Sequence, residues 1–153
     1  MDFLPMIKKP PLLPDDPEQR YAMLKMVGEV APYYKTLGMI VDHLEPGLAR
    51  LSLCMRRELS QALGIMHGGA IASVADSAVA LALLTTTGQK NRIVTVEFKI
   101  NYLAPVVDGT VVAEAKILFK GRDLAYGEVD IRVGETLVAR ATSTYFMMPE
   151  EYE

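Results

Sequence analysis

Residues 64–84 read GIMHGGAIASVADSAVALALL, a glycine pair after His67 and then a long run of small and branched apolar residues. Ser73, Asp76 and Ser77 are the polar interruptions. The run is too long for a typical buried strand, and Gly68-Gly69 leads directly into it, so residues 70–84 read as a helix. It is shorter than a membrane span and carries a carboxylate, which makes it a core helix. Apolar on nearly all sides, it demands cover on nearly all sides, and its alanines let a sheet approach closely. Gly88 marks a stop just beyond its end.

The strands on either side supply that cover. Downstream, Val94, Val96, Phe98, Ile100 and Tyr102 alternate with Thr95, Glu97, Lys99 and Asn101 as far as Pro105. This two-residue period predicts a strand with one apolar and one polar face. Three more strands are expected over 110–120, 124–133 and 136–147, joined by turns at Lys120-Gly121-Arg122 and Val133-Gly134-Glu135. Upstream, segments 39–44 and 49–55 flank Glu45-Pro46-Gly47 and predict a hairpin, with Leu51, Leu53 and Met55 on one face. Asp15 or Asp16 caps an earlier helix with Pro17 in its first turn and an apolar stripe of Tyr21, Leu24, Met26, Val27 and Val30. The fold class is α+β, an antiparallel meander wrapped over one buried helix. A proline-rich extended arm (1–14), a single domain (15–148) and a polar tail (149–153) complete the organisation.

The 153 residues suit one core, half of them are apolar, and the net charge is -3. No dense basic stripe is present to meet a phosphate backbone, so nucleic acid is a poor partner. Cys54, the single cysteine, precludes an intrachain disulfide and reads as a packed strand residue. Pro5, Pro10, Pro11 and Pro14 break any signal-peptide core. The expectation is a cytoplasmic protein that does not enter membranes.

Two places along the central helix can carry chemistry. At His67-Gly68-Gly69, backbone amides without intrahelical partners, aided by the helix dipole, can polarise a carbonyl oxygen as it gains negative charge. The same glycines also suit a plain tight turn. Asp76 is the second, since a carboxylate in so apolar a helix must face water, a partner or a ligand. It can serve as nucleophile or general base, or bond a hydroxyl in a purely structural role. Gly68 and Asp76 are eight residues apart, about 12 Å along a helix rising ~1.5 Å per residue. One carbonyl cannot reach both in a single chain, so joint action calls for a two-fold dimer that sets Gly68 of one copy against Asp76 of the other. His67 and His43 form no metal-ligand pattern with Cys54, and no serine-hydrolase elbow or dinucleotide fingerprint is present.

The motifs together resemble a known family. His67-Gly68-Gly69, Ala75-Asp76, Thr95-Val96-Glu97-Phe98 and Asn101-Tyr102-Leu103-Ala104-Pro105 are similar to the PaaI-type branch of the hot-dog-fold acyl-CoA thioesterases. The likeness continues through Gly109, Gly121-Arg122 and 137–142, covering residues 38–146. It implies a hot-dog fold and hydrolysis of an acyl-CoA to a carboxylic acid and coenzyme A, the latter entering as part of the substrate, with no separate cofactor. It further implies Gln61 ordering the loop and the thioester or water, His67 buttressing that loop, and Gly68 as oxyanion donor. Asp76 would be the nucleophile or general base, and Thr95 would orient the water or the carboxylate. Gln61 and Gly68 would come from one subunit and Asp76 and Thr95 from its partner, in a homodimer or a dimer of dimers. Gly69, Lys90, Arg92, Lys120 and Arg122 are the candidates for holding the coenzyme, the cations through its phosphates. A noncatalytic acyl-CoA-binding or regulatory protein is the competing expectation, because the fold supplies a pocket either way. A hot-dog dehydratase is a weaker third, lacking the extended histidine motif.

Overall fold

The computed structural model describes residues 12–88 and 92–148. Most of the expected arm, Lys90 and the whole expected tail lie outside them. Helix α1 (Pro17–Val30) is capped by Asp16, which accepts a hydrogen bond from Gln19 N at 2.9 Å. A short helix α2 (Pro32–Leu37), not foreseen, ends on Gly38 with φ 74°. Then follow β1 (Met39–Glu45), β2 (Leu48–Cys54), the central helix α3 (Gly68–Leu84), β3 (Ile93–Tyr102), β4 (Thr110–Lys120), β5 (Leu124–Val133) and β6 (Thr136–Met147). All six strands form one antiparallel sheet in the order β1-β2-β4-β5-β6-β3.

That order corrects the expected simple meander. Of the four strands after α3, only β4, β5 and β6 lie side by side in chain order; β3 pairs with β6 at the far edge. Residues 103–109 therefore carry the chain from that edge back to the middle of the sheet. On the way Val106 O accepts from Met66 N and Gly109 O accepts from Met55 N. This crossing segment runs past the N-terminus of α3 and becomes one wall of the site.

The sheet packs on α3 chiefly through β2, β4 and β5. Val74, Ala75, Ala78, Val79, Ala82 and Leu83 are buried against Ala49, Leu51, Val111, Ala113, Ala115, Val129 and Ile131. Small residues on both sides permit a close approach, and at Gly127 a Cβ would lie only 2.8 Å from Val79 Cγ1. The helix is not covered all round, however. Ala72, Ser73, Asp76, Ser77, Ala80 and Leu84 stay half-buried along one stripe, and Tyr33 of α2 reaches it by a 2.7 Å bond to Ser73.

Two expectations about packing are overturned. On α1 the buried residues are Arg20, Leu24 and Gly28, whereas Met26, Val27 and Val30 are exposed. The helix rests on a narrow i, i+4, i+8 line, and Gly28 is needed there because a Cβ would lie 2.6 Å from Val41 Cγ2. Cys54 lies in β2 but is exposed, because Leu51 and Leu53 take the inward positions and Cys54 falls on the alternate face.

Arg20 anchors α1 to the far end of α3. Its guanidinium donates to Pro14 O (2.8 Å), Asp15 O (2.9 Å) and Thr85 O (3.0 Å), and a cation suits the negative end of a helix. The Gly47 turn docks on the same end through Thr85 Oγ1, as does Lys120 through Thr86 O. Arg20→Ala would leave three carbonyls without this donor, and we expect a loss of about 2 kcal/mol in urea denaturation; an unchanged midpoint would show that α1 is not held this way.

Candidate active site

The loop before α3 is built around Gln61. Its N–H donates to Ile65 O and its carbonyl accepts from Gly64 N, both at 2.9 Å, closing a tight turn in which Gly64 has φ 78°. Gln61 Oε1 accepts from Leu63 N at 3.0 Å. That fixes the amide's orientation and leaves Nε2 as a donor with no acceptor among the described residues.

His67 follows as the N-cap of α3. Its Nδ1 accepts from Gly69 N at 2.8 Å and its carbonyl accepts from Ala70 N at 2.9 Å, while its own N–H donates to Leu59 O at 2.7 Å. Neutral His67 thus carries its proton on Nε2. The sequence suggests several free amides at this helix start, but His67 takes the Gly69 N–H, and among the described residues only the Gly68 N–H of this first turn lacks an acceptor. Tyr102 OH donates to Gly68 O at 2.8 Å, and its ring stands 3.1 Å from where a Gly68 Cβ would be. Burial raises the Tyr102 phenol above its usual range, so it remains a donor. Gln61, Gly68, Ile71, Tyr102, Leu103 and Val106 are among the residues lining a cavity of about 340 Å³, apolar apart from these few polar groups.

Asp76 lies two turns further along α3, outside that cavity's lining. Three hydroxyls reach its carboxylate. Tyr145 OH is 2.6 Å from Oδ1, Ser143 Oγ is 3.3 Å from Oδ1, and Thr95 Oγ1 is 3.3 Å from Oδ1 and 3.1 Å from Oδ2. Burial first, then the Asp76 charge and hydrogen bond, push the Tyr145 phenol far up. Burial also raises Tyr34, whose hydrogen bond with Ser77 works against the rise and whose neighbour Asp76 adds to it.

The Thr95 contact depends on a β-bulge. Strict alternation puts Thr95 with Glu97 and Lys99, on the face opposite Phe98 and Ile100. In the sheet, Thr95 pairs with Tyr145 but Glu97 pairs with Thr144, so Val96 is an extra residue and the register shifts. Thr95 is thereby turned to the side of Phe98 and Ile100, where Asp76 lies, while Val96 stays exposed. Bulges of this kind re-aim a side chain.

Within one chain, then, Gln61, His67 and Gly68 form one group and Asp76 and Thr95 another. Of the candidate coenzyme contacts, Gly69 has its N–H engaged by His67, and Lys120 bonds Thr86 O at the opposite end of α3. Arg122 pairs with Asp123 at 2.8 Å, and Arg92 O accepts from Met148 N. Sequence reasoning missed Tyr102, Ser143 and Tyr145. The available signal for the last two was a serine and a tyrosine at inward positions of β6, in line with Ala139 and Ala141.

The family model of the thioesterase superfamily matches residues 63–142, more than half of the chain and both groups of site residues apart from Gln61, Ser143 and Tyr145. The chain belongs to the thioesterase superfamily. Its curved antiparallel sheet around a central helix is the hot-dog fold of that superfamily. Among solved structures it is similar to conserved protein PA5202 from Pseudomonas aeruginosa, at 34% identity and a TM-score of 0.75, covering 78% of this chain and 95% of that one. A variant of the phenylacetic acid degradation protein PaaI from Thermus thermophilus is 32% identical with a TM-score of 0.71, covering 76% and 99%. The medium/long-chain acyl-CoA thioesterase YigI of Escherichia coli K12 is 28% identical over 144 residues, covering 81% of this chain and 93% of YigI. No helix of the described residues is long and apolar enough to cross a membrane.

Proposed function

We propose that this thioesterase-superfamily protein hydrolyses acyl-CoA, with Gly68 N–H and Gln61 Nε2 of one copy acting on a thioester together with Asp76 of a second copy. The observation that carries the reading is the separation of these donors, in the entry loop and first turn of α3, from the carboxylate, which lies about 12 Å beyond Gly68 along the helix at ~1.5 Å per residue. A two-fold pair with α3 helices running antiparallel brings each Gly68 beside the other copy's Asp76. The edge strand β3, with Val94 and Val96 exposed, and the half-buried stripe of α3 offer the surface for such a pair.

In this arrangement the carboxylate takes a proton from water, the hydroxide adds to the thioester carbon, and the oxygen gains charge against Gly68 N–H. The C–S bond then breaks, the thiolate of coenzyme A leaves with a proton returned from Asp76, and the free acid remains. Direct attack by Asp76 followed by hydrolysis of the mixed anhydride uses the same groups. Supporting the substrate class are YigI, a medium/long-chain acyl-CoA thioesterase, and PaaI, a phenylacetic acid degradation protein. Coenzyme A chemistry makes a cytoplasmic setting the natural one.

The test is thiol release from aromatic and aliphatic acyl-CoAs, with molecular mass measured in the same buffer. We expect turnover by a dimer or a dimer of dimers. Acyl-CoA retained without thiol release across the whole panel would mark a binding module instead, and an active monomer would refute the shared site.

A further inference from the structure

Resting on the reading of Asp76 as the reacting carboxylate, we infer that Tyr145 is a positioning residue that, with Ser143, holds Oδ1 of Asp76 and so leaves Oδ2 to react. The two carboxylate oxygens are not equivalent. Oδ1 lies within reach of all three hydroxyls, whereas Oδ2 has Thr95 alone, at 3.1 Å. Tyr145 OH also lies 2.8 Å from Asp76 O. One proton cannot serve both acceptors fully, and the shorter, charged partner at 2.6 Å takes it. Meeting both the main chain and the carboxylate of one residue fixes the side-chain rotation of Asp76 as well as its place.

The holders are rigid where the carboxylate is accessible. Tyr145 is 3% exposed and Ser143 0%, one strand period apart on β6, while Asp76 itself is half-buried. Ser143 Oγ has Glu97 O as a further acceptor at 3.2 Å, which ties it to β3 just past the bulge. Tyr145 sits directly across from Thr95 in the β3–β6 pairing. Both oxygens of the carboxylate are thus managed from one bulged strand pair, with the buried hydroxyls on one oxygen and the more exposed Thr95 shared between the two. Raised by burial and by the adjacent charge, the Tyr145 phenol stays a donor wherever the enzyme works.

The experiment compares wild type with Tyr145→Phe, Ser143→Ala and Asp76→Asn by thiol release as a function of pH. Removing a hydrogen-bond donor disfavours the charged form of a carboxylate, so the acid limb of kcat should move to higher pH. For Tyr145→Phe we expect the larger displacement of the limb, with a fall in kcat of roughly tenfold or more and little change in KM. Ser143→Ala should move the limb the same way by less, and it carries the test if Tyr145→Phe does not fold. A fall in kcat with an unmoved acid limb in both variants would reduce Tyr145 to a packing role and overturn the inference. Asp76→Asn separates the two levels. If it keeps its turnover, the reading of Asp76 fails and the positioning role with it; if it is inactive while both hydroxyl variants match wild type, only the positioning role fails.

Discussion

Asp76→Ala will lower turnover of any acyl-CoA substrate by roughly a hundredfold or more, the scale on which losing a reacting carboxylate is felt. The fold should survive the change. Tyr145 OH keeps the main-chain oxygen of residue 76, at 2.8 Å, as an acceptor, and Ser143 Oγ keeps Glu97 O, at 3.2 Å. Thr95 is on the exposed side of the group and can turn to water. No buried hydroxyl is therefore orphaned, and the usual penalty for deleting one partner of a buried polar pair does not arise. Alanine also suits a helix interior better than aspartate does. The expected result is a protein of unchanged mass and melting temperature with its thiol release almost gone. Turnover close to wild type would remove Asp76 from the chemistry and leave its three hydroxyl partners as a structural network.

Gly127→Val carries the largest expected effect on stability. A Cβ at this position would stand 2.8 Å from Val79 Cγ1, 3.0 Å from Lys116 O and 3.2 Å from Ile117 Cδ1. The Val79 side chain can turn, but the Lys116 carbonyl belongs to the neighbouring strand and moves only with it. Either β4 and β5 spread or α3 lifts from the sheet, and overpacking of this kind costs about 3 kcal/mol. For a domain of this size that lowers Tm by about 6–12 °C. The change also touches function, since Gly127 pairs with Ser143 on β6, whose hydroxyl reaches Asp76. Gly127→Ala should show the same loss in smaller measure. A Tm equal to wild type for the valine variant would mean that α3 is not held as closely as described.

Much of this architecture is legible in the chain. The apolar run of 70–84 became α3, and the later strands fall over the expected segments because alternation and short glycine turns are local signals. The errors share a cause. Met26, Val27 and Val30 look like a core stripe, yet the contact line of α1 runs through Arg20, Leu24 and Gly28; a buried arginine satisfied by three carbonyls cannot be read from hydropathy. Unbroken alternation along 94–102 sets Thr95 with Glu97 and Lys99, whereas the extra residue at Val96 reverses the side chain's direction. A bulge is a property of two paired strands, and one strand's residues do not announce it. The same holds for Ser143 and Tyr145, which lie far from Asp76 in the chain and meet it only through the sheet.

Local physics was enough to establish a buried helix with glycines at its mouth, a carboxylate inside it, and a spacing too long for both to serve one ester in a single chain. These follow from periodicity and from the rise of a helix, which neighbours in the chain impose on one another. Tertiary structure alone decided how many amides stay free, which hydroxyls hold the carboxylate, and which face Thr95 presents. Those outcomes depend on strand pairing and on competition among hydrogen-bond partners distant in sequence, and such choices exist only once the sheet has closed over the helix.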